Sequence, residues 1–135
     1  MKGAYLLDTN HLGAAINPVS SLRERLHQAH RGGARLGTCI PVLCELEAGI
    51  QGSLHLIDYR RQLVHLLGKV RVWPLERPVA AAYGELYRSL IARGRALSQV
   101  DIIIAALAQE MGLTILTSDQ DFAALPEIPT QNWLT

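Results

Sequence analysis

Charge of one sign is missing from this sequence: thirteen lysines and arginines stand against twelve aspartates and glutamates, a net charge of +1. The pI is close to 7.9. No uniform field draws in a polyanion, so any contact with nucleic acid must be local. Thiols are scarce as well. The two cysteines are Cys39 and Cys44; with no CxxC and no second pair, they read as small buried hydrophobes rather than a disulfide, a redox couple or a zinc site. The longest apolar run is the seven residues from Ile102 to Ala108, whereas a bilayer-crossing helix needs about 20. No membrane span is expected. A basic leader, a long apolar h-region and a small-residue cleavage site are also missing, so the expected location is the cytoplasm. The five histidines include no HxH or HExxH spacing, and no serine sits in GxSxG, which argues against a zinc hydrolase and a serine nucleophile.

What is present suits a compact enzyme-sized fold. At 135 residues and 49% hydrophobic, the chain reads as one domain over residues 1–135, burying roughly two thirds of its unfolded surface. Apolar, strand-prone runs alternate with segments of helical period, the pattern of parallel strands joined by helical crossovers. The predicted strands are Ala4 to Leu7, Leu36 to Ile40, Val70 to Trp73 and Leu113 to Leu116, with Ile128 to Trp133 as an edge strand. Helices are expected from Ser21, in a capping-box pattern, to Arg31; after Pro41; from a Ser53 cap along Leu56 to Leu67; from Pro78 to Ala92; and from a Ser98 cap along Gln99 to Met111, stopped by Gly112. A short helical turn is expected at Asp119 to Ala123, and Asp8-Thr9-Asn10 reads as the turn after the first strand.

The acids carry the chemistry. Of five aspartates, Asp8, Asp101, Asp119 and Asp121 fall where a strand ends or a helix begins, and Asp58 lies inside a helix. Taken singly, each is explained as a cap or turn residue. In a parallel sheet, however, the carboxyl ends of strands and the starts of the following helices face one edge. Asp8, Glu45, Asp101 and Asp119 come from four such segments, and none has a lysine or arginine beside it in sequence. Carboxylates gathered without cations repel one another. A hard divalent cation, Mg²⁺ or Mn²⁺, resolves this, because such ions take carboxylate and water oxygens.

The same residues resemble a family, the PIN-domain ribonucleases and in particular their small VapC-type toxins. Tyr5-Leu6-Leu7-Asp8-Thr9-Asn10 is similar to the family's opening strand. Ile40 to Leu46, Ser98 to Ala106 and Thr114 to Phe122 resemble the segments bearing its second, third and fourth acids. The order and separations match over nearly the whole chain. The resemblance implies a three-layer α/β fold with a central, mostly parallel sheet flanked by helices. It implies a Mg²⁺- or Mn²⁺-dependent endoribonuclease that leaves 5′-phosphates, with Asp8, Glu45, Asp101 and Asp119 as the metal-site acids. Thr9, Asn10, Thr117 and Asp121 become supporting residues. It also implies a cognate antitoxin, for which the leucine-rich segment Val42 to Leu67 is a candidate groove, and a homodimer. Gln99 and Asp119 depart from the usual pattern, which carries a further acid two residues before the third and often Asn at the fourth; the number of metal ions is therefore open. Arginines outnumber lysines eleven to two; Arg93 and Arg95, just before the Asp101 segment, are candidate RNA contacts.

Three alternatives compete. An Asp-nucleophile phosphoryl-transfer domain also places Asp after its first strand, but wants a late lysine, and the lysines here are Lys2 and Lys69. A metal-free ribonuclease needs paired histidines. A catalytically degenerate PIN-like interaction module keeps the fold without turnover, yet has no physical reason to keep mutually repelling acids.

Overall fold

The structure is a computed structural model and describes residues 3–134; Lys2 lies outside these. Strand β1 (Ala4–Leu7) leads into α1 (Thr9–Ala15) and α2 (Ser21–Arg31), then β2 (Arg35–Thr38), α3 (Ile40–Gln51) and α4 (Leu56–Leu66). Strand β3 (Val70–Val72), α5 (Arg77–Ala92), α6 (Gln99–Met111) and β4 (Thr114–Leu116) follow; a 3-10 turn (Gln120–Ala124) and β5 (Thr130–Gln131) complete the order. All four strand pairings are parallel, in the spatial order β3-β2-β1-β4-β5. Every residue of β1 is buried, as expected for a central parallel strand covered on both faces. Helix α5 packs chiefly along α6, while α1 packs against α2 and α3, and α3 also meets α6.

The chain first builds β1, β2 and β3 outward to one side, then crosses back to lay β4 against the free side of β1. The strand order reverses between β1 and β4. At such a switch point the connections leave in opposite directions and open a crevice at the strands' carboxyl ends. That crevice lies where Asp8 and Asp119 follow their strands.

Several expectations need correction. Helix α1 occupies what reads in sequence as a turn, because Asp8 itself caps it: its Oδ1 accepts the His11 N–H at 2.9 Å. The cap of α2 is Ser20, one residue before the expected Ser21, with its side chain accepting from Leu22 N–H. Ser53 does not cap α4; its hydroxyl accepts the His55 N–H within the preceding turn, and His55 occupies the cap position. By contrast, Ser98 does cap α6, and Gly112 ends that helix with a left-handed φ of 67°, a conformation glycine adopts without a Cβ penalty.

Of the two cysteines, Cys39 is buried but Cys44 is exposed, because α3 turns it outward. Burial pushes the Cys39 thiol up to about 11, with Cys44 and Glu45 nearby adding to the effect. Since thiolate is the reactive form, a disulfide-exchange reagent at neutral pH should label Cys44 in the native protein within minutes. Cys39 should react only on unfolding. Two equally fast thiols would contradict this packing.

Candidate active site

Four segments meet in a cleft of about 320 Å³ lined by Asp8, Thr9, Asn10, Glu45, Ser98, Asp101, Ile104 and Asp119. Asp8 enters from the end of β1, where its N–H donates to the Leu116 carbonyl at 3.1 Å and so ties β1 to β4 at the crevice. Its side chain is largely buried, with Oδ1 taken by the His11 N–H. Glu45 lies one turn into α3, a helix opened by Pro41 where the missing N–H costs nothing. The Thr9 hydroxyl donates to Glu45 Oε1 at 2.6 Å, linking the first turn of α1 to α3. Asp101 sits in the first turn of α6, and its backbone N–H is held by Ser98 Oγ at 3.1 Å.

The fourth acid is organised by its own loop. The buried Thr117 accepts the Asp119 N–H through Oγ1 at 2.9 Å, and Asp119 Oδ1 in turn accepts the Asp121 N–H at 2.8 Å, capping the 3-10 turn. This brings Asp121 into the group: one oxygen each of Asp101, Asp119 and Asp121 lie within 4.8 Å of one another. Asn10 stands exposed at the rim and makes no side-chain hydrogen bond among the described residues.

The electrostatics follow from what is missing. Among the described residues, arginines pair with Glu47, Asp58 and Glu127, all outside the cleft, and no lysine or arginine pairs with Asp8, Glu45, Asp101, Asp119 or Asp121. Burial pushes the Asp101 carboxyl above its ordinary range; Asp119, Glu45 and Asp121 push it further, and the Ser98 hydrogen bond works against them. A group of oxygen donors, several of them crowded and none neutralised by a cation among the described residues, fits a hard divalent ion. It does not fit zinc, since no histidine or cysteine lines the cleft.

The other sequence candidates are placed elsewhere. Arg93 donates through Nη1 to the Ala124 carbonyl at 2.6 Å and lies 3.8 Å from Glu127, so its guanidinium braces the 3-10 turn. Arg95, on the exposed loop before α6, has no ion pair or side-chain hydrogen bond among the described residues. Lys69 precedes β3 and therefore stands at the amino edge of the sheet, opposite the acids, which removes the lysine that a phosphoaspartate mechanism wants. His27 and His30 are on α2 and His11 is fully buried, so no pair of histidines lines the cleft.

Sequence reasoning passed over Ser98 and Ile104 as lining residues and His11 as a neighbour of Asp8. Ser98 and His11 each carry a usable signal: both stand three residues from an acid, Ser98 before Asp101 and His11 after Asp8, the spacing of a helix cap.

The PIN domain family matches residues 5–128 of this chain. Ribonuclease VapC2 of Rickettsia felis is 27% identical over 131 residues, covering 96% of this chain and 97% of that protein. Ribonuclease VapC5 of Mycobacterium tuberculosis is 32% identical over 94 residues, covering 67% and 69%. The crystal structure of VapBC2 from Rickettsia felis bound to a DNA fragment from their promoter includes a chain that superposes with a TM-score of 0.86 at 25% identity. That match covers 96% of this chain and 98% of the other.

Proposed function

Because the chain belongs to the PIN domain family, we propose that it is a metal-dependent endoribonuclease, the toxin of a toxin-antitoxin pair. The observation that carries this reading is the cleft in which Asp8, Glu45, Asp101 and Asp119 come together without a lysine or arginine partner among the described residues. A phosphodiester resists attack because its own charge repels nucleophiles, so a catalyst must offset that charge and make water more acidic. When bound, Mg²⁺ or Mn²⁺ supplies both effects. Asp101, Asp119 and Asp121 are grouped closely enough to offer one oxygen each to such an ion, and Asp8 and Glu45 add donors from the same cleft.

The remaining residues hold this set in place. Thr9 ties one oxygen of the exposed Glu45 carboxylate to the start of α1, and Thr117 fixes the backbone that presents Asp119. Asn10 offers an uncommitted amide at the rim for a phosphate oxygen or the attacking water. Arg95 is the better placed of the two arginines to meet an RNA phosphate, since Arg93 already has protein partners.

The antitoxin has a suitable seat. A cleft of about 1070 Å³ runs beside the acids, with Leu46, Ile50 and Tyr59 from the Val42 to Leu67 segment on one side and Ala14 and Ile16 on the other. It shares Thr9 and Glu45 with the acidic cleft, so an apolar segment of a partner laid here also covers the entrance to the acids. The exposed Tyr87 and Ile91 on α5 offer an i, i+4 apolar pair to a second copy of the chain in a homodimer. Among the described residues no helix is long and apolar enough to cross a membrane, and the cytoplasm, where RNA and antitoxin are met, is the proposed location.

An unstructured RNA should be cut by the purified protein in Mg²⁺ or Mn²⁺, yield 5′-phosphate ends and survive in EDTA. Asp8→Asn should not cut it. In parallel, Mn²⁺ at a hundredfold excess over Kd should stabilise the fold by about 2.7 kcal/mol, seen as a higher melting temperature. Cutting that ignores EDTA, or cyclic phosphate products, would refute the reading.

A further inference from the structure

Behind Asp8 lies a polar group that the reaction as described does not use. His11 is fully buried, with 0% of its surface exposed. Its Nε2 accepts the Trp133 backbone N–H at 3.0 Å, so that nitrogen carries a lone pair and no proton. A neutral imidazole with Nε2 as acceptor carries its proton on Nδ1. Among the described residues Nδ1 has no formed hydrogen bond, and a buried polar atom left in this way needs an explanation. It stands 3.4 Å from Asp8 Oδ1, the same oxygen that already accepts the His11 N–H at 2.9 Å.

We propose that His11 is a positioning residue for Asp8: its backbone N–H holds Oδ1 and its buried ring, with Nδ1 3.4 Å from the same oxygen, keeps that oxygen turned inward, leaving Oδ2 for the cation. The proposal rests on the reading of Asp8 as a metal ligand. At 3.4 Å the ring contact is longer than a formed hydrogen bond; it acts as a buried N–H dipole beside a carboxylate. Partners one shell out from a metal ligand orient it and raise its affinity for the ion.

The orientation of His11 is in turn set from far along the chain. Trp133 is buried, its ring lies 5.0 Å from the Tyr5 ring, its indole N–H donates to Gln131 Oε1 at 2.9 Å, and the Arg25 guanidinium lies 4.5 Å over it. These contacts fix the N–H that selects the His11 tautomer.

Mn²⁺ titrated into the wild type, Asp8→Asn, His11→Leu and His11→Asn, by calorimetry, tests both layers. Leucine fills the space without a donor and should weaken Mn²⁺ binding about tenfold or more. Asparagine can return an N–H near the Nδ1 position and should stay within about threefold of the wild type. Wild-type affinity in His11→Leu, or equal loss in Leu and Asn, overturns the role of His11. Unchanged binding in Asp8→Asn instead overturns the reading of Asp8, and the proposal with it. A measurement on the unaltered protein stands beside these: long-range ¹H–¹⁵N spectra should show the His11 ring neutral and protonated at Nδ1, and a proton on Nε2 would overturn the proposal even if the variants fail to fold.

Discussion

Asp101→Asn is expected to lower RNA cleavage by at least about 100-fold, because even a substitution one shell outside a metal centre costs 10–100-fold in activity or affinity. The same substitution should raise the melting temperature in EDTA. Burial first, then Asp119, Glu45 and Asp121, push the Asp101 carboxyl upward in the folded state. The fold therefore favours the protonated acid, a preference that is fully present below the unfolded pKa and is lost as pH rises through the shifted value. At neutral pH the ionised Asp101 works against folding, and asparagine removes that charge. Each kcal/mol so relieved moves the midpoint by about 4 °C in a domain of this size. The gap between variant and wild type should close in acid, and the stabilisation by Mn²⁺ should shrink in the variant. Asp58→Asn, which removes an exposed acid in the first turn of α4, should leave cleavage unchanged. An Asp101→Asn protein that cuts RNA at the wild-type rate would remove this acid from the mechanism.

Gly37→Ala is expected to destabilise the fold by about 3 kcal/mol and lower the melting temperature by roughly 10 °C. Gly37 lies in β2 opposite Leu6 of β1 and Arg71 of β3. The Trp73 indole crosses over it to donate through Nε1 to the Tyr5 carbonyl at 2.9 Å, and a Cβ built on Gly37 would overlap that ring. Alanine must displace the indole or bend the strand. The first costs a buried hydrogen bond, about 0.5–1.5 kcal/mol, and the second costs packing, about 1–3 kcal/mol. The entropy that alanine removes from the unfolded chain returns less than about 1 kcal/mol. Gly84→Ala is the matching control: a Cβ there, in the middle of α5, meets nothing within 4 Å, and the change should stabilise by about 0.5–1 kcal/mol. Equal midpoints for the two variants would show that the Trp73 contact does not constrain Gly37.

Local features were readable wherever a residue type acts on its neighbours. The Ser98 cap, the Gly112 stop and the Pro41 and Pro78 helix starts are all decisions taken within a turn or two of chain, and the periodic segments between them appear as helices. Helix α1 escaped because Asp8, Thr9 and Asn10 are also turn formers, and Gly13 interrupts a short helical pattern. Ambiguity of this kind is resolved only by packing against α2 and α3. The strand order was not legible, since it depends on which side of β1 the returning chain takes. Neither was the burial of His11 beneath Trp133, 122 positions away in sequence. The four acids could be proposed from their places at strand and helix ends. That Asp121 joins Asp101 and Asp119 more tightly than Glu45 or Asp8 does required the course of the loop after β4.

The lateness of β4 has a further consequence for a cell that makes this protein. Strand β1 is synthesised well before the strand beside it at the crevice and before Asp119 beyond that strand, which come after residue 113. While β1 to α6 are being translated, the ribosome is the RNA nearest to the growing polypeptide, and the polypeptide still lacks one of the acids proposed to cut it. On that proposal the order of synthesis delays hydrolytic competence until β4 and Asp119 have been made, and it lengthens the interval in which an inhibitor can arrive first.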